Sequence, residues 1–280
     1  MNAHVFEHEA MATCFAIAIA DTAGPYARQA AAAAFRELER LEGELSRYVE
    51  TSDIARANRL GWGETTQLGA DAFECLLIAA DAALATGRAF DPSYGSQPAA
   101  GTAADAPRFT LDPTTHGLTS QAERLHLDLG AVGKGYALDR MAETLREWQV
   151  TAACLNSGGS TVLALGAPAG MAGWPHGLGD GSSARTLPLV HAAIGASGLA
   201  VKGEHITNPR TDAPARTATR AWALAGTAAQ ADALSTAFFV MGEAEVRAFC
   251  AAHPQIGGAR MTADGNLISY GTLRSAGAGG

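Results

Sequence analysis

The segment LDLGAVGKGYALD, residues 127–139, combines residue types that suit anion binding. Asp128 ends a predicted strand, a glycine-rich turn follows, and a helix begins after the turn. Backbone amides at the N-terminus of a helix attract anions, and glycines allow a phosphate group to approach the backbone. Lys134 would add a positive charge beside the same phosphate. The segment matches neither the P-loop nor the dinucleotide fingerprint, so an ordinary strand-to-helix turn is the alternative interpretation.

A second candidate lies in ADALSTAFFVMG, residues 231–242. Asp232 and Thr236 are four residues apart on a predicted helix, so their side chains share one face. A carboxylate and a hydroxyl suit a hard cation such as Mg²⁺, which takes few protein ligands and keeps phosphate oxygens from its substrate. In the alternative interpretation Asp232 only flanks the start of the helix and Thr236 packs in the core.

His205 is the candidate general base, in the loop segment EHITNPRTDAP at 204–214. A loop histidine near neutral pKa suits proton transfer. Because no triad partner can be identified from the sequence, a structural histidine is the alternative.

Two weaker candidates are Tyr48, in LSRYVETSDIARAN (45–58), and Asp91, in FDPSYG (90–95). Tyr48 would stack on a flat ring or simply pack at a helix end. Asp91 precedes a proline and is typical of a residue that starts a turn. The string HVFEH at 4–8 matches an inverted zincin motif, but it precedes a strand and lacks the helix of that motif, so we expect no zinc protease.

These candidates must be positioned by a mixture of strands and helices. Strands are predicted at 10–20, 125–129, 152–155, 161–165, near 186–195 and 220–226, with a C-terminal hairpin on Asp264-Gly265. Helices are predicted at 25–46, 70–87, 132–148, 230–240 and 243–252. Residues 96–124 are predicted as a mobile loop or a short edge strand, and residues 168–183 as a mobile surface loop. Because the strands cluster in hairpins and the helices interrupt them irregularly, we expect an α+β fold.

Composition excludes several classes of protein. The 280 residues are 48% hydrophobic and 17% charged, which is typical of a folded chain and not of a disordered one. A net charge of −8 argues against nucleic-acid binding. No apolar run reaches the roughly 18 residues of a membrane span. The first residues lack the pattern of a signal peptide, so we expect a cytoplasmic protein, or a periplasmic one if a leader has been removed.

Six segments, taken in order, resemble the FAD:protein FMN transferase family, the ApbE-like flavin transferases. They are MATCF (11–15), LSRY…TSDIARAN (45–58), FDPSYG (90–95), LDLGAVGKGYALD (127–139) with LNSGGSTVLALG after it (155–166), ASG…EHITNP (196–209) and ADALSTAFFVMG (231–242).

The resemblance implies one flavin transferase domain over residues 1–280, T-fold-like, with a mixed, largely antiparallel sheet flanked by helices. It implies that FMN passes from FAD to a serine or threonine of an acceptor flavoprotein as a phosphoester, and that AMP leaves. It assigns Mg²⁺ to Asp232, Thr236 and the backbone carbonyl of Ala131, and catalytic roles to His205, as general base, and Asp128. The implied FAD contacts are Met11, Tyr48, Ala89, Phe90, Asp91, Asp128, Lys134 and Ile206.

The chain departs from the family pattern at several positions. Ala229 stands where many members carry another carboxylate at the metal site, Glu204 replaces the first histidine of a pair, and Asn208 replaces an aspartate before proline. Two alternatives therefore stay open, which are an FAD pyrophosphatase that uses water as acceptor and a non-catalytic FAD-binding protein.

Overall fold

The computed structural model describes residues 3–103, 106–179, 181–198 and 206–275. The strands are β1 (Ala3–Ala10), β2 (Thr13–Ala20), β3 (Thr65–Gln67), β4 (Gln97–Pro98), β5 (Phe109–Asp112), β6 (Gly117–Ser120), β7 (Ala122–Arg124), β8 (Ala153–Ser157), β9 (Thr161–Ala164), β10 (Trp174–Leu178), β11 (Arg185–Leu189), β12 (Ala192–Gly198), β13 (Thr207–Asn208), β14 (Ala213–Pro214), β15 (Arg220–Ala225), β16 (Gly257–Met261) and β17 (Leu267–Gly271). The helices are α1 (Gly24–Leu45), α2 (Asp53–Ala57), α3 (Ala70–Ala85), α4 (Gly133–Glu147), α5 (Ala228–Val240), α6 (Glu243–Ala252) and α7 (Thr272–Ser275).

An eight-stranded antiparallel sheet forms the centre of the fold, in the order β1-β2-β8-β9-β12-β15-β16-β17. Hairpins join β1 to β2, β8 to β9 and β16 to β17. The last two are the hairpins that the sequence predicted. The α+β class with a largely antiparallel sheet is therefore confirmed.

Helices cover one face of this sheet. Helix α1 is rich in alanine, and a stripe that includes Ala27, Ala34, Leu38 and Leu41 is buried against α4 and β1. Helix α5 lies against β12, β15 and α4. It is buried nearly all round, which explains why its sequence is apolar without a polar stripe.

The hairpin of β10 and β11 covers the opposite face. Successive residues of β9 alternate between the two cores, because Leu163 packs with the helices while Val162 packs with Trp174 and Leu187 of the hairpin. The prediction of a mobile loop at 168–183 was therefore wrong at Trp174–Leu178, which form β10. The glycine and proline of WPHGL hid the strand, yet a two-stranded ribbon tolerates both residues.

Two other predictions need correction, and a third is made more specific. Strand β1 was missed, because two of its exposed residues are charged, Glu7 and Glu9, and its less exposed ones include His4 and His8. Of the two alternatives for 96–124, loop or short edge strand, the described residues of this region form four short strands, β4 to β7. Residues 125–129 are buried at every leucine but join no sheet, because the Asn58 side chain takes the place of a neighbouring strand. It accepts from the Leu127 amide at 2.6 Å and donates to the Leu127 carbonyl at 3.0 Å.

Among the described helices none is both long and apolar enough to cross a membrane.

Candidate functional site

Helix α5 carries Asp232 and Thr236, and two glycines set its position. A Cβ atom on Gly135 of α4 would lie 2.2 Å from the Ala228 carbonyl oxygen, and one on Gly195 of β12 would lie 2.2 Å from that of Ala231. Only glycine permits this approach of α5 to its neighbours on both sides.

The start of α5 is held by two side chains. Thr227 accepts from the Gln230 amide at 3.3 Å, as an N-cap. Asp139 of α4 accepts from the amides of Ala228 at 2.7 Å and Ala229 at 2.8 Å. Burial raises the pKa of Asp139 to about 6, although the two amides act in the opposite direction. Ala229, where the family often has a carboxylate, is thus a buried residue of the first turn.

Asp232 is a buried carboxylate with three partners from two elements, β9 and α4. Its Oδ1 accepts from the Thr161 hydroxyl of β9 at 3.0 Å. Its Oδ2 accepts from the Gly135 amide at 3.2 Å and lies 3.8 Å from Lys134 Nζ. Asp232 therefore faces the start of α4, where the sequence predicted an anion site.

Thr236 lies one turn further along α5 and contacts β12. Its Oγ1 is 3.1 Å from Ser197 Oγ, which is also 2.9 Å from Ser235 Oγ. The Ser235 hydroxyl donates to the Asp232 backbone carbonyl at 2.9 Å. A short hydroxyl network thus runs beside the carboxylate.

The turn from Asp128 to Lys134 closes the other side of this site. Asp128 Oδ1 accepts from the Gly130 amide at 2.8 Å, and Lys134 Nζ donates to the Gly130 carbonyl. Ala131, whose carbonyl is a predicted metal ligand, lies inside the turn. The N-cap residue of α4, Val132, makes no side-chain hydrogen bond to the first turn. This turn combines backbone amides, an acid and a cation.

Tyr48 and Asp128 are joined by Arg47, a residue that the sequence analysis missed. Arg47 Nε is 3.3 Å from Asp128 Oδ2. The guanidinium lies 4.4 Å from the Tyr48 ring centroid and donates to the phenol oxygen at 2.6 Å. Tyr48 is 79% exposed, so packing does not explain its aromatic ring.

The FDPSYG turn is adjacent, because the Asp128 amide donates to the Pro92 carbonyl at 2.9 Å. Asp91 Oδ1 accepts from the amide and hydroxyl of Ser93 at 2.8 and 2.7 Å, and Oδ2 faces Arg88 at 3.2 Å. Asp91 therefore shapes its own turn, and its contact with FAD stays a prediction. Ala89 and Phe90 are buried beneath that turn.

The remaining predicted residues lie on two further segments. Met11 is at the tip of the β1–β2 hairpin, where both tip residues have positive φ, and its amide donates to Glu42 Oε1 at 2.7 Å. Ile206 packs against the core that the helices share, and its carbonyl accepts from Ala215. His205 lies outside the described residues, so its role as base stays a prediction.

The structure thus connects Asp128, Lys134 and Asp232 through a direct contact or a shared partner. Thr236 reaches the Asp232 backbone carbonyl only through Ser197 and Ser235. Thr161 and Ser197 were also missed, since a threonine in a strand and a serine before glycine carry no functional signal of their own. Both reach the site only through strand pairing.

The oxygen donors present fit Mg²⁺. Asp232, Thr236 and a turn carbonyl supply one carboxylate, one hydroxyl and one carbonyl, a set that leaves positions for phosphate oxygens and water. Within the described ranges no group of three histidine, cysteine, aspartate or glutamate residues could hold a metal. The carboxylate, hydroxyl and carbonyl oxygens named above do not suit zinc, which prefers nitrogen and sulfur ligands.

Known proteins resemble this chain in sequence and in fold. The model of the ApbE family matches residues 11–259. A curated relative, FAD:protein FMN transferase of Klebsiella pneumoniae (strain 342), is 31% identical over 101 residues, which are 36% of this chain and 28% of that relative's length. Among solved structures, a variant of flavin transferase ApbE from Vibrio cholerae superposes with a TM-score of 0.84 at 18% identity, over 99% of this chain and 100% of that one.

The apo flavinyl transferase ApbE of Pseudomonas stutzeri also superposes with a TM-score of 0.84 at 18% identity, over 100% of this chain and 98% of that one. At this identity the likeness concerns the fold. The family model, however, spans most of the sequence, and every described site residue lies within the matched range. The chain belongs to the ApbE family.

Proposed function

We propose that this protein is an Mg²⁺-dependent FAD:protein FMN transferase that attaches FMN through a phosphoester to a serine or threonine of an acceptor flavoprotein and releases AMP. The observation that supports the proposal is the contact of Asp232 in α5 with Lys134, which also donates to the Gly130 carbonyl in the turn before α4. Thr236 lies one turn further along α5. A protein that only bound FAD would not need a buried carboxylate beside a phosphate-binding turn.

Among the described residues, some would bind the substrate and others would hold the ion that stabilises negative charge. The turn amides and Lys134 would hold the pyrophosphate of FAD at the start of α4. The exposed face of Tyr48 would stack on a flat ring of the substrate. Bound at Asp232, Thr236 and the Ala131 carbonyl, Mg²⁺ would neutralise the negative charge that develops on the pyrophosphate.

The acceptor hydroxyl must lose a proton as it attacks the phosphorus of the FMN half. His205 is the proposed base for that proton. The new oxygen–phosphorus bond forms as the bond to the AMP phosphate breaks, so AMP leaves with the bridging oxygen. Catalysis in this scheme is mainly positioning and charge stabilisation.

The test is to incubate the purified protein with FAD and a threonine-containing acceptor peptide, with and without Mg²⁺. We expect AMP release only with Mg²⁺, together with a peptide that gains the mass of FMN. AMP with free FMN and unmodified peptide would indicate the pyrophosphatase instead. FAD that stays intact under all conditions would overturn the proposal.

Asp232→Asn tests the metal assignment, since it removes the charge while it keeps the volume. We expect AMP release to fall at least about a hundredfold, with circular dichroism unchanged. Asp81→Asn, an exposed carboxylate on α3, is the matched control. Undiminished, Mg²⁺-dependent AMP release by Asp232→Asn would rule out Asp232 as a ligand.

A further inference from the structure

Lys134 lies against the same carboxylate oxygen that is available for a metal ion. Thr161 satisfies Asp232 Oδ1, whereas Oδ2 faces both the Gly135 amide and the ammonium group of Lys134. Asp232 is only 4% exposed. A buried carboxylate is stable only with hydrogen bonds or an opposite charge, and Lys134 is the cation that supplies that charge.

The ammonium group also faces the turn that would receive the pyrophosphate. Lys134 Nζ donates to the Gly130 carbonyl, two residues after Asp128. One cation is therefore shared between the carboxylate on one side and the anion-binding turn on the other. Its flexible four-carbon stem allows the charge to move between two partners without movement of the backbone.

A divalent ion at Asp232 Oδ2 would stand within a few ångströms of the ammonium group. Like charges at that separation in a partly buried site repel strongly. Lys134 must therefore turn away before the ion binds well, and a pyrophosphate at the turn supplies the new partner that draws it away.

We propose that Lys134 is an internal counter-ion that competes with the divalent cation at Asp232 and is released when the pyrophosphate binds. The substrate then prepares the metal site, so FAD and metal bind together more readily than either binds alone. This inference rests on the proposed function, because it concerns the same site.

The change in Mg²⁺ affinity on removal of Lys134 distinguishes competition with the metal from a purely structural role. If Lys134 only held Asp232 in place, its removal would weaken metal binding or leave it unchanged. If Lys134 competes with the metal, its removal strengthens metal binding in the absence of FAD. The same change weakens FAD binding in the absence of metal, because the pyrophosphate loses a cation.

The experiment measures two affinities for each protein. The first is the affinity for Mg²⁺ in the absence of FAD, measured by calorimetry, with Mn²⁺ and paramagnetic resonance as a second probe. The second is the affinity for FAD in the presence of EDTA, measured by flavin fluorescence. For Lys134→Met we expect the dissociation constant of Mg²⁺ to fall about tenfold or more and that of FAD to rise by a similar factor.

Three further variants control the test. Lys134→Gln keeps a donor for the Gly130 carbonyl without the charge and should repeat the result if Lys134→Met folds poorly. Lys134→Arg keeps the charge and should bind Mg²⁺ nearly as the wild type does. Arg247→Met removes one positive charge from an exposed ion pair on α6 and should change neither affinity.

The outcomes separate the two proposals. Weaker or unchanged Mg²⁺ binding by both Lys134→Met and Lys134→Gln, with a wild type that binds FAD and Mg²⁺, would overturn this inference alone. A wild type that fails to bind FAD would overturn the proposed function and this inference with it.

Discussion

Arg47 connects two residues that the sequence singled out, although nothing about its own position drew attention to it. Its guanidinium covers one face of Tyr48 and forms an ion pair with Asp128. Since Asp128 shapes the turn before α4, Arg47 fixes the exposed ring relative to that turn. The guanidinium covers one face of the Tyr48 ring, while the residue as a whole stays 79% exposed.

We expect Arg47→Met to weaken FAD binding about threefold to tenfold while thermal stability stays nearly unchanged. An ion pair of this exposure contributes little to folding, so the effect should come from the loss of order in Tyr48 and Asp128. Titration of flavin fluorescence measures the affinity. Arg59→Met, a change at another partly exposed arginine, is the control. Equal affinity for Arg47→Met and the wild type would contradict the role given to Arg47.

At the scale of elements, the position of α5 decides whether the site exists. A methyl group on Gly195 would meet the Ala231 carbonyl oxygen at 2.2 Å, so α5 would have to move away from β12. That movement would carry Asp232 away from Thr161 and Lys134.

Two glycine-to-alanine changes should therefore act in opposite directions. Gly195→Ala should lower the free energy of unfolding by about 1–3 kcal/mol, as overpacking does. Gly43→Ala should raise it by about 0.5–1 kcal/mol, because Gly43 lies in α1 with open space around it and alanine favours the helix. Urea unfolding measures both values. A free energy of unfolding of Gly195→Ala equal to that of the wild type would show that α5 is not held as tightly against β12 as the 2.2 Å distance indicates.

Asp139 adds a pH dependence to the contact between α4 and α5. Its pKa is raised from an ordinary 3.8 to about 6 in the folded protein, so the folded state binds more protons between these values. Its contribution to stability is therefore complete below pH 4 and is lost as the pH rises through 6.

Compared with Asp139→Asn, the wild type should lose up to about 3 kcal/mol of stability between pH 4 and pH 7, at about 1.4 kcal/mol per pKa unit. The difference between the two proteins is the relevant quantity, because other carboxyls such as Asp71 have lowered pKa values and act in the opposite direction. Urea unfolding at several pH values provides it. A difference that is independent of pH would show that Asp139 does not titrate in this range.

Sequence periodicity predicted the long helices, because α1, α4 and α5 have strong apolar patterns or clear flanking turns. It missed β1 and β10, whose alternation is hidden by histidine, glycine and proline. The local spacing of Asp232 and Thr236 predicted that they share a face. The contacts of Asp232 with Thr161 and of Arg47 with Asp128 join residues 71 and 81 positions apart in the chain, so no local pattern could reveal them.

At the scale of the whole molecule, the sheet separates two hydrophobic cores, and only one of them adjoins the candidate site. The helical face holds α4, α5 and the groups around Asp232, whereas the opposite face packs against the hairpin of β10 and β11. Stability and ligand binding should therefore respond separately to changes on the two faces.

Leu187→Ala and Leu234→Ala test this separation, since both remove a buried leucine side chain. Leu187 lies in β11 at 3% exposure, and Leu234 lies in α5 at 2% exposure, two residues from Asp232. Each should cost about 2–5 kcal/mol of unfolding free energy. Only Leu234→Ala should also weaken Mg²⁺ and FAD binding, because the cavity it leaves allows α5 to shift. Val190→Ala, on an exposed turn, should change neither property. Equal losses of binding in both leucine variants, measured well below their melting temperatures, would show that the two faces are coupled through the sheet.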